Sequence, residues 1–339
     1  MAASTCVRAG EISPGHDSFT GSPSTADRLT GSVAVDGQRR HGGSSRDVRR
    51  GRPTLVCPCL PVVDGLSSGR LDQDEGVSSF RKGDHGEPDS VRFEAAGLRW
   101  LGEAPGGVAV AEVLSEGPGW LETARVHPGG ATAAAAEQLG RALARTHAAG
   151  APHLGCPPAG WTGDGFMGRA QLPLRGTPGP DSWGEFYAAD RVLPYLAGAV
   201  ANGAIDTAGE RTVRRCADRL ATGELDAPQP RLVTRPAARL HGDLWSGNVL
   251  WGERDGIVAA TLIDPAAHGG HAESDLAQLG VFGAPHLDRV VAAYDEISPL
   301  APGWRERVGL HQLHMLIVHA ALFGGSYGRQ TVRTAARYA

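Results

Sequence analysis

The pattern of apolar residues divides the chain into two parts. From Val91 onward apolar residues recur at helical or strand spacing, whereas residues 1–75 are rich in Gly, Ser, Arg and Asp and show little apolar periodicity. A composition of this kind buries too little apolar surface for a packed core, and only residues 54–56 and 60–63 resemble strands. We therefore predict three regions: an atypical, poorly ordered segment over 1–75, an N-terminal lobe remnant over 76–126 and a helical C-terminal lobe over 127–339.

The N-terminal lobe remnant is predicted to contain one helix and two strands. Phe93, Gly97, Leu98 and Leu101 fall on one face of a helix, and Pro105 marks its end. Two apolar segments bounded by Gly or Pro are predicted to be strands, at 108–114 and 120–126.

The C-terminal lobe is predicted to be mainly helical. Thr132 is placed to cap an Ala-rich amphipathic helix that Gly150 ends. Asp255 and Gly256 form a strong turn signal, which predicts a hairpin over 249–263. The Pro- and Gly-rich residues 151–182 are expected to form a loop. Further helices are predicted at 183–201, at 207–220 and from 274 onward.

Composition and charge favour a small-molecule partner. The chain is 41% hydrophobic and 21% charged, as is ordinary for a globular protein, and its net charge of −4 leaves no basic surplus for nucleic acid or an anionic membrane. The longest apolar run, 313–323, is about half the length that spans a bilayer. We expect a monomer without nucleic-acid or membrane partners.

The cysteines favour a reducing compartment. Five are present at irregular spacing, and only Cys57 and Cys59 lie close together. A structural zinc site needs four ligands, and no second close pair exists. The prediction is a cytoplasmic protein without a disulfide framework.

Candidate chemistry is concentrated in the segment His-Gly-Asp-Leu-Trp-Ser-Gly-Asn at 241–248. Asp243 and Asn248 have the spacing of a kinase catalytic loop, in which the Asp meets the acceptor hydroxyl and the Asn binds magnesium. Gly242 replaces the arginine that contacts a phosphorylated activation loop in protein kinases, which favours a small-molecule acceptor. Asp264 follows the predicted hairpin and would be the second Mg²⁺ ligand.

This segment has two other interpretations. Asp243 could merely cap a helix after a turn. Alternatively, a transition-metal site for hydrolysis could be formed by a cluster of histidines and aspartates, namely His241, Asp243, Asp264, His268 and His271. The combination of Asn248 and Asp264 argues against the first, and the lack of a helical ligand spacing argues against the second.

These residues resemble the fructosamine kinase (ketosamine-3-kinase) family. The resemblance rests on residues 241–248, on Leu-Ile-Asp-Pro-Ala at 262–266 and on Gly-His-Ala-Glu-Ser-Asp-Leu-Ala at 270–277. Trp-Gly-Glu-Phe-Tyr at 183–187, followed by Arg-Val-Leu-Pro at 191–194, adds to it. The resemblance implies an α+β, protein-kinase-like fold with a small N-terminal β-rich lobe and a larger helical lobe. It also implies ATP and Mg²⁺ as cofactors.

The resemblance further implies roles for single residues. Asp243 would be the catalytic base, Asn248 and Asp264 would hold the metal, Asp275 would brace the catalytic loop and Trp245 would flank the sugar. The adenine pocket would be formed by backbone groups near the residues joining the lobes, namely Ala124, Arg125 and Val126. We also expect His271 and Glu273 to contact the substrate, with a plain loop position as an equal alternative for His271, and His241 to be structural.

The N-terminal lobe departs from the family pattern. Lys82, the only lysine, precedes Glu94 by 12 residues, a plausible distance for the lysine and helix glutamate that fix ATP phosphates. Residues 78–82 make a poor strand, however, and an exposed loop is the alternative for Lys82. The family phosphorylates the 3-hydroxyl of ketosamine sugars, which implies deglycation repair. The alternatives are a phosphotransferase for an aminoglycoside or choline-like amino alcohol and a non-catalytic pseudokinase.

Overall fold

A computed structural model of the chain describes residues 78–339 apart from 85, 88, 128 and 255. The predictions for 1–75, including the strand-like stretches at 54–56 and 60–63, lie outside the described residues. Within this part of the chain, no helix is long and apolar enough to cross a membrane.

The described residues form ten short strands and nine α-helices, and the last four helices follow one another without an intervening strand. The strands are β1 (Ser79–Gly83), β2 (Ala109–Val110), β3 (Val113–Gly117), β4 (Trp120–Ala124), β5 (Gly165–Met167), β6 (Ala170–Leu172), β7 (Ala238–Leu240), β8 (Val249–Arg254), β9 (Ile257–Leu262) and β10 (His268–Gly270). The helices are α1 (Ser90–Gly102), α2 (Ala133–Ala149), α3 (Trp183–Tyr187), α4 (Leu193–Ala201), α5 (Thr207–Ala221), α6 (Glu273–Leu279), α7 (Leu287–Ile297), α8 (Trp304–Phe323) and α9 (Ser326–Ala335).

The N-terminal lobe is an antiparallel sheet in the order β1-β4-β3, with α1 packed against it. Val91, Ala95 and Leu98 of α1 form a small core with Leu121 of β4. The expectation that 78–82 makes a poor strand is wrong, because β1 pairs with β4 along its whole length, and Lys82 lies opposite Leu121. Backbone pairing with a neighbouring strand outweighs the weak strand propensity of this segment.

The predicted strand at 108–114 is two strands that belong to different sheets. β2 runs parallel to β9, whereas β3 pairs with β4. Between them the Ala111 amide donates to the Leu262 carbonyl at 2.9 Å, so the chain leaves one sheet before it enters the other. A continuous apolar pattern does not reveal a change of partner.

The predicted start and end of α2 are confirmed. The Thr132 hydroxyl accepts a hydrogen bond from the Ala135 amide at 3.1 Å, and Gly150 ends the helix with φ 70°. Helix α2 packs closely on α7, because a Cβ at Gly140 would lie 2.1 Å from the Val290 carbonyl oxygen. The predicted hairpin is also confirmed as β8 and β9, with Gly256 at φ 73° in the turn.

Two predictions in the middle of the chain need correction. Residues 151–182 contain a short hairpin, β5–β6, in place of an unbroken loop. The helix predicted over 183–201 is divided into α3 and α4 by a π-helical turn at Ala188–Val192. Pro194 has no amide to donate to the Asp190 carbonyl, and this carbonyl accepts from Nη1 of Arg191 at 3.0 Å instead.

The C-terminal lobe is mainly helical, as predicted. Its core includes buried residues of α3, α4, α5 and α8 in one cluster and of α2, α6 and α7 in another. The β8–β9 hairpin lies against α2, and the residues between β7 and β8 form the loop that carries Asp243. The predicted class, an α+β fold with a small sheet lobe and a larger helical lobe, is confirmed.

Candidate active site

Lys82 lies between two carboxylates from different parts of the chain. Its Nζ is 2.6 Å from Oε2 of Glu94 on α1 and 2.6 Å from Oδ1 of Asp264, which follows β9. Burial would lower the pKa of Lys82, but the two carboxylates outweigh this and raise it. The ammonium is therefore held charged at one fixed place, and the exposed-loop alternative for Lys82 is wrong.

A cavity of about 220 Å³ opens beside this ion-pair cluster. The residues expected to hold a nucleotide all contribute to its wall, together with apolar side chains from both lobes. The lining residues are Phe80, Lys82, Glu94, Ala111, Thr123, Ala124, Arg125, Val126, Leu250, Ile263 and Asp264. The Val126 amide makes no hydrogen bond to another described residue, so it offers a free donor at the connection between the lobes.

The loop between β7 and β8 gives Asp243 and Asn248 fixed relative positions. Nδ2 of Asn248 donates to the Asp243 carbonyl at 2.8 Å and to the Asp243 carboxylate at 3.2 Å. A short 3₁₀ turn, Ser246–Asn248, produces this contact by turning the chain back. The spacing of five that the sequence displays thus corresponds to a direct contact.

Asp275 holds the backbone of this loop from the first turn of α6. Its carboxylate accepts hydrogen bonds from the amides of His241 at 2.8 Å and Gly242 at 2.9 Å. Nε2 of His147, on α2, lies 3.1 Å from the same carboxylate. Burial would raise the pKa of Asp275, but the hydrogen bond from His147 and the charges and amides nearby keep it lowered.

His241 and Gly242 are structural parts of the loop. Nε2 of His241 lies 2.9 Å from the Ile263 carbonyl, while its Nδ1 accepts from the Asp243 amide at 3.3 Å. Burial lowers the pKa of His241, which is consistent with a neutral ring. Gly242 has φ 82°, and a Cβ there would lie 2.1 Å from the Ala266 carbonyl oxygen. Only glycine fits this position.

Burial and neighbouring charge change the acidity of two site carboxyls. Burial and then the charge of Asp264 raise the pKa of Asp243 to about 7. Burial also raises the pKa of Glu94 to about 7, although Lys82 opposes the shift. A carboxyl with a pKa near neutrality is suited to accept a proton at physiological pH.

The oxygens of Asn248 and Asp264 suit a hard divalent cation. Since Nδ2 of Asn248 is used by Asp243, the amide oxygen is left without a hydrogen-bond donor among the described residues. The Asp264 side chain is 48% exposed, and its backbone has φ 55°, an uncommon conformation for a residue other than glycine. Carboxylate and amide oxygens are typical Mg²⁺ ligands.

Trp245 lies half-buried on the loop next to Asp243. Its ring packs edge-on against Phe282, with centroids 5.7 Å apart. A Cβ at Gly247 would lie 2.1 Å from the same indole ring. The indole is therefore held in place from two sides, and a role beside a sugar stays a prediction.

His271 and Glu273 are buried in an internal network. Glu273 pairs with Arg307 through both carboxylate oxygens, at 2.9 and 2.6 Å. Nε2 of His271 lies 3.2 Å from the Ala227 carbonyl, and its Nδ1 accepts from the Glu273 amide. These side chains are 2% and 3% exposed. Such contacts do not support the predicted roles in substrate binding.

The transition-metal alternative is wrong about which residues come together. Among the described residues, the potential metal-ligand group is His271, Glu273 and His311, and only His271 belongs to the proposed cluster. Arg307 occupies the carboxylate of that group and would repel a cation. Nδ1 of His268 lies 2.8 Å from the Ala266 carbonyl.

Sequence reasoning missed two residues that support the loop. His147 joins Asp275 to Tyr294, whose hydroxyl lies 2.9 Å from Nδ1 of the histidine. Gln278, one turn after Asp275 on α6, accepts from the Leu244 amide at 2.9 Å and donates to the Gly242 carbonyl at 3.1 Å. The i, i+3 spacing of Asp275 and Gln278 was a usable signal, because such residues share one helix face.

Comparison with known proteins identifies relatives of this chain. Residues 92–338 match the family model for fructosamine kinase. The chain is 30% identical over 192 residues to a candidate ketoamine kinase of Enterococcus faecium, covering 57% of this chain and 63% of that protein. It is 31% identical over 152 residues to ketosamine-3-kinase of Mus musculus, covering 43% of each. The chain thus spans less than two thirds of the length of these curated relatives.

Two solved structures share the fold. A candidate fructosamine-3-kinase from Thermobifida fusca is 43% identical with a TM-score of 0.67, covering 78% of this chain and 86% of that one. A second candidate fructosamine-3-kinase, from Haemophilus somnus, has a TM-score of 0.60 at 21% identity and covers 76% and 81% of the two chains. At that identity the second likeness concerns the fold alone.

Proposed function

This chain belongs to the fructosamine kinase family, and from that premise we propose that it transfers the γ-phosphoryl group of ATP to a sugar hydroxyl of a ketosamine. The observation that carries the proposal is the contact of Lys82 with both Glu94 and Asp264 at 2.6 Å in the wall of a cavity. Phosphoryl transfer depends on positioned cations and carboxylates more than on covalent chemistry, and these side chains supply them.

Asp243 is proposed to accept the proton of the attacking hydroxyl. Its pKa of about 7 leaves a substantial ionised fraction at neutral pH. Asn248 donates to this carboxylate at 3.2 Å, which fixes its orientation. Asp275 keeps the loop backbone in place through the amides of His241 and Gly242.

Lys82 is proposed to bind the phosphates of ATP, oriented by Glu94. Adenine would lie against Ala124, Arg125 and Val126, where the Val126 amide makes no hydrogen bond to another described residue. Asn248 and Asp264 would hold Mg²⁺, which when bound neutralises charge on the phosphates. The Asp264 side chain is 48% exposed, so its carboxylate is accessible to a cation while it contacts Lys82.

The acceptor is proposed to be a ketosamine such as a fructosamine or ribulosamine, phosphorylated on its 3-hydroxyl. Trp245 would offer an apolar ring face to sugar C–H groups. Phosphorylation there would destabilise the ketoamine and free the amine, which is a deglycation repair role. The thiols of Cys156 and Cys216 are free and buried, in keeping with a cytoplasmic site of action. We propose that the N-terminal lobe comprises residues 76–126 and the C-terminal lobe residues 127–339.

A coupled ADP-release assay with a fructosamine and a ribulosamine tests the proposal. We expect turnover on at least one of them, and a loss of about 10²- to 10⁴-fold in Asp243→Ala, because the proton acceptor is removed. Asp218→Asn, on the exposed face of α5, is the matched control and should keep full activity. Equal rates for wild type and Asp243→Ala would end the assignment. Turnover on an aminoglycoside alone would favour the phosphotransferase alternative.

Labelling of the single lysine gives a second, independent test. A lysine-selective acylating reagent can modify one side chain in this sequence, Lys82, besides the α-amino group. We expect ATP with Mg²⁺ to protect Lys82 from modification, as measured by mass spectrometry. Protection by ATP without turnover on any acceptor would indicate a nucleotide-binding pseudokinase.

A further inference from the structure

Arg191 is a buried cation without a carboxylate partner. Its side chain is 1% exposed, and Nη1 donates to the carbonyls of Pro173 and Asp190 at 2.8 and 3.0 Å. Within the described part of the chain, Nη2 has no hydrogen-bond partner. Among the described residues, no Asp or Glu forms an ion pair with it. The charge of Asp190 does favour the charged guanidinium, but that carboxylate is hydrogen-bonded to Arg175 and not to Arg191. Burial lowers the pKa of Arg191 to about 10, so the guanidinium is still charged at neutral pH.

A second buried nitrogen, Nε2 of His314, lines the same cavity as Arg191, and it can donate in the tautomer that carries the proton on Nε2. His314 of α8 is 2% exposed, and its Nε2 has no hydrogen-bond partner among the residues that the structure describes. Arg191 and His314 both line a cavity of about 10 Å³, which Gly242 of the Asp243 loop also lines. A cavity of that size has room for a single small occupant and for no larger group.

The other groups around the cavity cannot neutralise Arg191. No Asp or Glu is among the described residues that line it. Nδ1 of His268 lies 2.8 Å from the Ala266 carbonyl, which leaves Nε2 to accept from Nε of Arg191 at 3.4 Å. Burial lowers the pKa of His268 to about 3, so this ring is neutral. The Phe186 ring, 4.7 Å from Cζ of Arg191, offers only a cation–π contact.

We propose that this cavity binds one small monovalent anion, chloride under ordinary conditions, between Nη2 of Arg191 and Nε2 of His314. A water molecule would satisfy the donors but not the charge, and an unpaired buried charge is far more costly than an unpaired neutral group. The anion would lie directly behind Gly242, where it supports the backbone of the Asp243 loop. This inference does not depend on which reaction the protein catalyses.

Bromide in place of chloride makes the occupant visible. Crystals of the full chain grown in bromide should give an anomalous peak between Arg191 and His314. In solution, chloride should raise the Tm by a few degrees in a saturable way, relative to methanesulfonate at equal ionic strength. Methanesulfonate is larger than chloride and should not raise the Tm. A water molecule in the cavity, with no anomalous peak and no chloride dependence of Tm, would overturn the proposal.

Substitutions of Arg191 and His314 test whether these two side chains bind the anion. Arg191→Met should lose both the chloride dependence and the bromide peak, and His314→Leu should weaken chloride binding at least tenfold. The control is Arg239→Met, because Arg239 also stacks on an aromatic ring. Leu240 lines the cavity, and its neighbour Arg239 points to the opposite face of β7, away from the cavity. Unchanged chloride dependence in a folded Arg191→Met would refute the assignment. If that variant fails to fold, His314→Leu and the bromide peak of the wild type still decide it.

Discussion

Lys82 is the single lysine of a chain that otherwise uses arginine, and its ammonium contacts two carboxylates at 2.6 Å. An ammonium is a compact point charge, whereas a guanidinium is planar and needs a wider site. The contact with Asp264 joins residues 182 positions apart. This side chain therefore links the N-terminal sheet to the segment after β9.

Replacing this lysine should impair nucleotide use specifically. We expect Lys82→Met to raise the KM for ATP and to lower kcat/KM by at least about 10²-fold, because a charge on the phosphates is lost. Arg81→Met is the matched control on the same strand, since Arg81 points to the other face and stacks on Trp120. Steady-state kinetics of ADP release measure both. An unchanged KM for ATP in Lys82→Met would contradict the proposed role.

The raised pKa of Asp243 predicts a pH-dependent rate. Burial, and then the charge of Asp264, bring this pKa to about 7, and the proton acceptor must be ionised. The rate should therefore rise with pH through about 7 and level off above it. This rise is measured as kcat/KM at pH values from about 5.5 to 9. That range extends about 1.5 pH units or more on either side of the pKa.

The same carboxyl also affects stability, with a definite sign. A folded-state pKa above the unfolded value of 3.8 means that the native state binds this proton more tightly, so stability is lost as pH rises toward 7. Asp243→Asn should therefore be more stable than wild type at pH 8 but not at pH 4, as urea unfolding would reveal. Greater stability of the wild type at pH 8 would show that the carboxylate is better solvated than we infer.

At the scale of elements, α6 determines where the Asp243 loop lies. Asp275 and Gln278, on one face of this helix, together bind the backbone of His241, Gly242 and Leu244. His147 reaches the same carboxylate from α2, so two helices and the loop meet at one buried charge. A buried carboxylate is tolerated here because each of its oxygens has at least one donor.

Loss of that charge should loosen the loop. Asp275→Asn places an amide NH₂ against backbone donors, and we expect about 3 kcal/mol lower unfolding free energy together with a lower kcat. Urea denaturation and ADP release measure the two effects. Asp288→Asn on the exposed face of α7 is the control and should change stability by less than about 0.5 kcal/mol. Full activity with full stability in Asp275→Asn would show that the loop does not need this brace.

Across the whole molecule, the cavity joins the two lobes. Phe80, Lys82 and Thr123 come from the N-terminal sheet, whereas Leu250 and Asp264 belong to the C-terminal part. A ligand in this cavity contacts both lobes at once, and it stabilises the native state by mass action because the unfolded chain has no such site.

Nucleotide binding should therefore raise the thermal stability of the full chain. At 100-fold excess over Kd, ATP with Mg²⁺ should add about 2.7 kcal/mol, measured as a rise in Tm by calorimetry or dye fluorescence. Lys82→Met should lose most of this rise, whereas Arg81→Met should keep it. No rise at millimolar ATP would mean that the cavity is not a nucleotide site.

The predictions that succeeded rest on short-range chemistry. Thr132 and Gly150 define α2 because capping involves neighbouring residues, and the turn residues before Ile257 define the β8–β9 hairpin. The strand predictions failed where the pairing strand lies far away in the sequence. β1 forms although its own residues favour it weakly, and the continuous apolar run at 108–114 is shared between two sheets.

By itself the sequence determined the family, the α+β class and the bounds of α2 and α5, and it singled out Asp243, Asn248 and Asp264 as candidate site residues, because spacing and residue type are local properties. Tertiary structure alone decided that Lys82 contacts Asp264 and that Glu273 forms an ion pair with Arg307. It also decided that His147 contacts Asp275, 128 positions later in the chain. It also left Arg191 without a carboxylate ion-pair partner among the described residues. Such pairings depend on which elements pack together, and the free energy of packing is shared among residues far apart in the chain.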